Sequence, residues 1–288
     1  MIRKIRYSDI DFEKYSACLE SSVQKNWYAR REVLDELSGN WHILVLNDYK
    51  AVMPINIKKK YGLNFVHMPL FCQQLGIFSL FDDPQINDEF LFFLKNNYRI
   101  FLYCFNDTNS FTTQIENRKN YIIPVSDYLL LKRKKYFKGR KSTVKWSQHL
   151  IYRELQPDQM IEQFIAENSK GISKYRDLEK FKNYFDFLYK NNSLKLCCAY
   201  LNDQLISLAI LISEDKQFSL LSLINHKKFT DENGPSFLID QILKNHIHEK
   251  TLNFMGGNIR GIEVFFKSFG GELKSFPIVE NKFMKKFS

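Results

Sequence analysis

The chain has 288 residues, room for one large domain or two ordinary ones, and its 44% hydrophobic and 26% charged residues are a globular mixture. Five cysteines without a CxxC pair, two of them adjacent at Cys197 and Cys198 on opposite faces of an apolar strand, argue against a disulfide framework or a zinc site and fit a reducing cytoplasm. The net charge of +10 admits nucleic acid, an anionic cofactor, a membrane surface or simply a Lys-rich solvated exterior, while no window reaches the roughly 18 apolar residues of a membrane span and no signal peptide pattern opens the chain.

A strand over residues 2–7 leads to helical patterns at 11–24 and 30–39, the second stopped by Gly39. Apolar runs on either side of Asn47-Asp48 predict a hairpin over 41–60. Pro54 lies inside its second strand and, lacking a ladder donor, marks an edge or a bulge. Strands at 64–71 and 76–81 follow. A helix over 85–96 presents Ile86, Phe90, Leu91 and Leu94 on one face, and strands at 98–105 and 121–125 complete a mixed α/β part.

The second part opens with a basic, helix-prone segment, 131–148. Next come a strand at 150–155, a helix after Pro157 with Met160, Ile161, Phe164 and Ile165 as its stripe, and a helix over 177–190. Three antiparallel strands turn at Asn202-Asp203 and at Glu214-Asp215-Lys216, and a helix over 234–249 packs through Phe237, Leu238, Ile242 and Leu243. The last stretch, LNFMGGNIRGIEVFFKSFGGEL, places paired glycines on both sides of a short helix carried by Ile259, Ile262, Phe266 and Phe269. Gly256-Gly257 would end a strand where backbone approaches a ligand, and Gly270-Gly271 would stop the helix in a left-handed cap before a strand over 274–279.

One short repeat bears on domain organisation. Leu46-Asn47-Asp48 and Leu201-Asn202-Asp203 each join two apolar strands after a helical stretch. Together with the length this favours two lobes of like topology, 1–130 and 131–288. In the second, the loop HKKFTDENG joins a strand to a helix, an arrangement that presents free N–H groups and the positive end of a helix dipole. Lys227, Lys228, Asn233, Gly234 and Ser236 are therefore candidates for holding a phosphate or pyrophosphate, against the plain alternative of a helix capped by Asn233. Pro235 removes one N–H from the region.

The order helix, hairpin, third strand, loop, helix, strand, helix, strand is that of the GNAT acyltransferase fold, and the segment VFFKSFGGEL resembles its last helix and turn. The fuller C-terminal stretch resembles the signature of FemABX-like tandem-GNAT proteins, which typically read Asp-Phe-Glu-Gly-Ser, a short helix, then Phe-Lys-x-Phe-Gly. YFKGRKSTVKWSQ resembles the Arg/Lys-rich helix that opens their second lobe, and LFCQQLGIF a Gln-Gln-Leu-Gly motif of bacterial relatives. The resemblance implies an α/β chain of two tandem GNAT-like lobes with a cleft between them. It further implies transfer of an acyl group from an acyl-CoA such as acetyl-CoA to an amine acceptor, a small molecule or a cell-wall-type amine, without a metal. The amine would attack the donor carbonyl directly, helped by orientation, oxyanion stabilisation and proton removal. Aminoacyl-tRNA is the alternative donor; acyl-CoA is favoured because no long helical arm for tRNA is inserted.

On this resemblance, donor phosphates lie near residues 227–236 and Gly256, Gly257 and Asn258 line the acceptor side. Asn258 and Lys267, the latter at the family's Phe-Lys position, are the catalytic candidates. Gln73, Gln74 and His226 are candidates for the substrate cleft, with strand capping or bracing as their ordinary roles. Glu263, four residues before Lys267, suits a surface ion pair with it. The run from Lys132 to Lys145 could hold phosphates of CoA or tRNA, with Tyr136, Phe137 and Trp146 spaced for packing. The chain departs from the family at Asn253 and Met255, where acids are usual, and at Phe266, where many GNATs carry a tyrosine. Those departures motivate a second reading, a non-catalytic binding protein on the same fold, and the basic helix motivates a third, nucleic-acid binding.

Overall fold

The computed structural model describes residues 1–60, 62–169 and 175–281. The chain forms two compact units, residues 1–118 with the chain from 275 on, and residues 119–274. Both are α/β. The division therefore falls between Arg118 and Lys119 and not near residue 130, and it is not linear, because the last strand returns to the first unit.

The first unit runs β1 (Ile2–Ile5), α1 (Phe12–Ser21), α2 (Arg31–Ser38), β2 (Trp41–Leu46), β3 (Ala51–Lys60), β4 (Leu63–Val66), β5 (Phe78–Ser79), α3 (Pro84–Asn97), β6 (Arg99–Ile100), β7 (Leu102–Cys104) and β8 (Glu116–Arg118). Strands β1-β2-β3-β4-β6 form one sheet, with β5 also on β3. Local chemistry sets the helix ends. The Asp11 carboxylate accepts the Lys14 N–H, Asp83 accepts those of Gln85 and Ile86 ahead of Pro84, and Gly39 closes α2 at φ +65°. Trp41 is fully buried among the edges of Tyr7, Phe12 and Tyr15.

Two expectations change here. Pro54 stands opposite Ile43 in an unbroken β2–β3 register, so it marks no bulge. On its other side β3 pairs with β5 at Ala51-Val52 and with β4 from Ile57 on, and the proline falls in the gap between those partners, where no strand asks it for a donor. The apolar run 98–105 makes two strands, because β6 joins β4 in one sheet while β7 joins another.

The second unit contains β9 (Tyr121–Ile123), α4 (Tyr128–Lys134), α5 (Lys138–Trp146), β10 (Ile151–Leu155), α6 (Gln159–Asn168), α7 (Tyr175–Lys190), β11 (Leu194–Leu201), β12 (Gln204–Ser213), β13 (Gln217–Asn225), α8 (Gly234–His246), β14 (Thr251–Asn253), α9 (Arg260–Ser268) and β15 (Glu272–Leu273). Its sheet runs β10-β11-β12-β13-β14-β9-β15, so β9 lies between two strands that follow it by more than a hundred residues. The final strand, β16 (Phe276–Glu280), pairs between β7 and β8 in the first unit.

The Leu-Asn-Asp repeat joins strands twice, by different turns. Asn202 and Asp203, both at positive φ, form a two-residue turn that closes on the pair Leu201–Gln204. The first copy spans residues 47–50, with positive φ at Asn47 and Tyr49. The basic segment is two helices, because Phe137 is extended between them (φ −63°, ψ 148°). Met160 stays exposed while Ile161, Phe164 and Ile165 are buried, and Ile259 and Ile262 are exposed while Phe266 and Phe269 carry the buried side of α9.

A buried carboxylate ties α8 to α4. Asp240, 1% exposed, accepts the Tyr128 hydroxyl at 2.9 Å and the Lys132 ammonium at 3.1 Å. Removing the cation would leave that charge buried with one neutral donor. Lys132→Ala is expected to lower the unfolding free energy by about 2 kcal/mol. Adding Asp240→Asn should restore part of the loss, and urea unfolding of both single variants and the double variant checks the coupling.

Candidate functional site

The second sheet opens at one place. Parallel strands β13 and β14 pair only through Gln217–Thr251, Phe218–Leu252 and Ser219–Asn253. β13 continues to Asn225, but its pairing with the other chain ends at Asn253, beyond which the Phe254 N–H keeps that chain on β9 by bonding to the Tyr121 carbonyl at 2.9 Å. From Leu220 onward no strand among the described residues pairs with this edge of β13. Burial follows: Phe218, Ser219 and Leu220 are buried, and Leu221, Ser222 and Leu223 are half-buried. The result is a wedge, one wall of which is a strand edge with no strand beside it among the described residues.

The turn that opens the wedge is built by residues that depart from the family signature. The Asn253 side chain accepts the Met255 N–H at 2.9 Å, and Met255 takes the left-handed conformation at φ +56°. Phe266 is buried and stacks on Phe254 with ring centroids 4.2 Å apart. The Asn253 side chain and the Met255 backbone thus form the turn, and the Phe266 side chain packs against it. Gly257 has φ +147°, and a Cβ on it would come within 2.6 Å of the Tyr121 ring, so this second glycine of the pair answers to a close approach of protein.

At the far end of β13 lie His226, the 3-10 turn Lys227–Phe229 and the start of α8. His226 Nδ1 accepts the Lys228 N–H at 3.2 Å, and its ring packs near Phe164 and Phe229, so this histidine shapes the loop. Lys227 and Lys228 are exposed. Asn233 occupies the N-cap position but makes no cap bond, because it is left-handed at φ +59° and its side chain donates to the Asp231 carbonyl at 2.7 Å. A Cβ on Gly234 would run into the Ser207 side chain of β12. Ser236 is buried, and its hydroxyl accepts from the Arg140 guanidinium, which also donates to Ser268 at 2.8 Å and lies 4.6 Å from the Phe265 and Phe269 ring centroids. A half-buried cation thus stands beside the start of α8; within a charge run, sequence had no means of singling it out.

A second cluster joins β9 to α9. The Glu263 carboxylate accepts from Lys119 Nζ at 2.9 Å and from the Tyr121 hydroxyl at 2.7 Å. Its partner is therefore Lys119, which reaches it directly, while Lys267 is exposed one turn further on and acts only through weak charge attraction. The hydrogen bond from Lys119, then that from Tyr121, holds the Glu263 carboxyl below the usual carboxylate range. Burial first, then Glu263, pushes the Tyr121 hydroxyl up to about 12. Both polar side-chain atoms of Asn258 bond to the Lys119 backbone, accepting its N–H at 3.0 Å and donating to its carbonyl at 3.2 Å. Lys119 and Tyr121 escaped sequence reasoning because nothing in a short strand announces a partner 140 residues away.

Gln73 and Gln74 belong to the first unit. Gln74 is buried and accepts the Asp107 N–H at 2.9 Å, which braces the loop after β7. In the basic run, Lys135 pairs with Glu272 and Lys141 donates to the Arg133 carbonyl, while Arg133, Lys134, Lys138 and Lys145 are exposed. All five cysteines are buried free thiols, with Cys104, Cys197 and Cys198 pushed up to about 12, chiefly by burial. Among the described residues no group of three or more His, Cys, Asp or Glu could hold a metal, and no helix is long and apolar enough to cross a membrane.

No family model matches the chain, and no curated protein does either. Solved structures do. FemX superposes at a TM-score of 0.63 with 12% identity, over 99% of each chain. L-PGS from Bacillus licheniformis gives 0.54 with 10% identity, over 96% of this chain and 94% of that one. A tandem GNAT protein from the clavulanic acid biosynthesis pathway gives 0.52 with 7% identity, over 96% and 97%. The chain thus has the FemABX-like, tandem GNAT fold.

The Glu263 cluster makes two tests. Glu263→Gln should bring the Tyr121 pKa down only partway towards its ordinary value near 10, since burial remains its larger cause; ultraviolet titration of the phenolate checks this. Because the Glu263 pKa falls on folding, its contribution is full above the ordinary glutamate range and disappears as pH drops through the lowered folded value. Lys119→Met should shift that loss to higher pH in acid-unfolding curves.

Proposed function

We propose that the protein is an acyltransferase whose donor lies in the wedge between β13 and β14 of the second unit. The carrying observation is the splay itself: three paired residues, then a free edge along residues 220–225. An extended donor arm rich in amide groups can complete that edge as a missing strand would. Its phosphates would meet the start of α8, where Asn233 and Gly234 open the helix and the exposed Lys227 and Lys228 side chains supply positive charge, while buried Ser236, its N–H taken by the Asn233 carbonyl, anchors Arg140 beside them. The FemABX-like, tandem GNAT fold supports an acyl-CoA donor and an amine acceptor of small-molecule or cell-wall type, with aminoacyl-tRNA as the alternative donor.

In the reaction, the acceptor nitrogen bonds to the thioester carbonyl carbon and the C–S bond breaks. Sulfur leaves with its electron pair and takes up the proton that the amine gives away. Phe266 has no proton to supply, so the protein contributes chiefly orientation and polarisation. Gly256 and Gly257 border the β14 wall, Asn258 positions the Lys119 backbone, and Lys267 supplies an exposed cation one helix away. His226 shapes the donor loop.

The commitment of Asn253, Met255 and Phe266 to turn and packing favours a second reading, a donor-binding protein without turnover. Calorimetric titration with acetyl-CoA should show saturable heat, with NMR shift changes concentrated at residues 220–225 and 227–236. Absence of heat at millimolar ligand would remove the CoA reading. Binding without acetyl transfer to any amine tried would favour the second. With a transfer assay in hand, Lys267→Ala should lower the rate about a hundredfold, and an unchanged rate would remove Lys267 from the site.

A further inference from the structure

The α4–α5 surface of the second unit combines two properties that rarely coincide on an exposed face. No acidic residue occurs between Asp127 and Glu154. On the outer side of α4, Leu129 is 72% exposed, and Leu130 is exposed beside it. Each leucine stands one helical turn before an exposed cation, Arg133 and Lys134 respectively. On α5, Lys138 and Lys145 are exposed, with Phe137 at the helix start and Trp146, 70% exposed, at its end. The Lys141 ammonium donates to the Arg133 carbonyl at 2.7 Å, which ties the exposed end of α4 to α5.

The inner side of the same two helices is firmly held. Leu131, Tyr136 and Val144 are in the core, Lys132 is bonded to buried Asp240, and Arg140 is bonded to Ser236 and Ser268. The outward leucines and aromatics are therefore not residues seeking the core in a loose segment. Burying them requires a partner, and the intervening cations require it to be anionic. Leucines on that face cannot stack on bases but can enter an acyl-chain layer, while Trp and Phe sit well at the headgroup boundary. Single-stranded nucleic acid would be met by aromatic platforms in a positive groove, which these aliphatic side chains do not make.

We propose that the α4–α5 face docks the protein on an anionic phospholipid surface, with Leu129, Leu130, Phe137 and Trp146 entering the interface. Arg133, Lys134, Lys138 and Lys145 would meet the headgroups. The inference does not depend on acyl transfer. It would place whatever the second unit does at a membrane surface.

The protein carries its own reporter. Of its three tryptophans, Trp27 and Trp41 are buried, so a change in tryptophan emission on docking reports Trp146. The full chain should co-sediment with dioleoylphosphatidylglycerol vesicles, show a blue shift, and do neither with dioleoylphosphatidylcholine vesicles. Affinity should fall as salt rises and drop about fivefold for each of Lys138→Gln and Lys145→Gln. Trp146→Ala should abolish the blue shift and weaken binding. Three results would each overturn the proposal: no association with the anionic vesicles at millimolar lipid, equal association with both vesicle types, or binding to single-stranded RNA with no vesicle binding. Should a charge variant unfold by circular dichroism, the salt titration and blue shift of the unaltered chain decide the matter alone.

Discussion

Much of the second unit depends on how briefly β13 and β14 run together. Parallel strands are linked by a crossover, here α8, and stay paired only as long as both remain in the sheet. The β14 chain leaves β13 after Asn253: the Phe254 N–H continues the ladder with β9, and the Met255 N–H turns back to the Asn253 side chain. Once it leaves, the turn has to be made by residues that tolerate positive φ, which Met255 does with help from the Asn253 side chain and Gly257 does by lacking a Cβ. The Phe254–Phe266 stack then seats α9 against the turn. The wedge, the glycine pair and the short helix are consequences of one pairing decision.

Charge inside the second unit is arranged around the same helix, α8. Asp240 faces α4 and is answered by Lys132 and Tyr128, while Ser236, a turn earlier, is answered by Arg140 from α5. The dense basic stretch is thus not uniform. Lys132 and Arg140 are internal ties, with Arg140 also lying against the Phe265 and Phe269 rings. Lys135 and Lys141 are held by Glu272 and by the Arg133 carbonyl, and Arg133, Lys134, Lys138 and Lys145 face outward. A charge run read only as a count merges these, although the internal cations hold α8 and the outward ones set the surface potential.

Much of the fold was legible in the sequence. Periodicity and end signals such as Gly39 and Pro157 placed the helices, and the Asn-Asp turns placed the hairpins, because both depend on interactions within a few residues. The C-terminal glycine stretch was legible as strand, helix and cap for the same reason, with Gly270 at φ +84°. The candidate site was legible in part. The loop before α8 was marked by its composition, but the polar cluster of Lys119, Tyr121, Asn258 and Glu263 was not, since its members lie up to 144 residues apart.

What the sequence by itself determined is therefore local: which stretches are helix or strand, where they stop, and that the chain alternates them in the GNAT order. What only the tertiary structure decided is which strand lies beside which. β9 enters the sheet between β14 and β15, and β16 leaves for the first unit, although neither sequence differs from an ordinary buried strand. The physical reason is that strand pairing uses backbone groups common to every residue, so a partner is chosen by the whole arrangement and not by the residues of the strand alone.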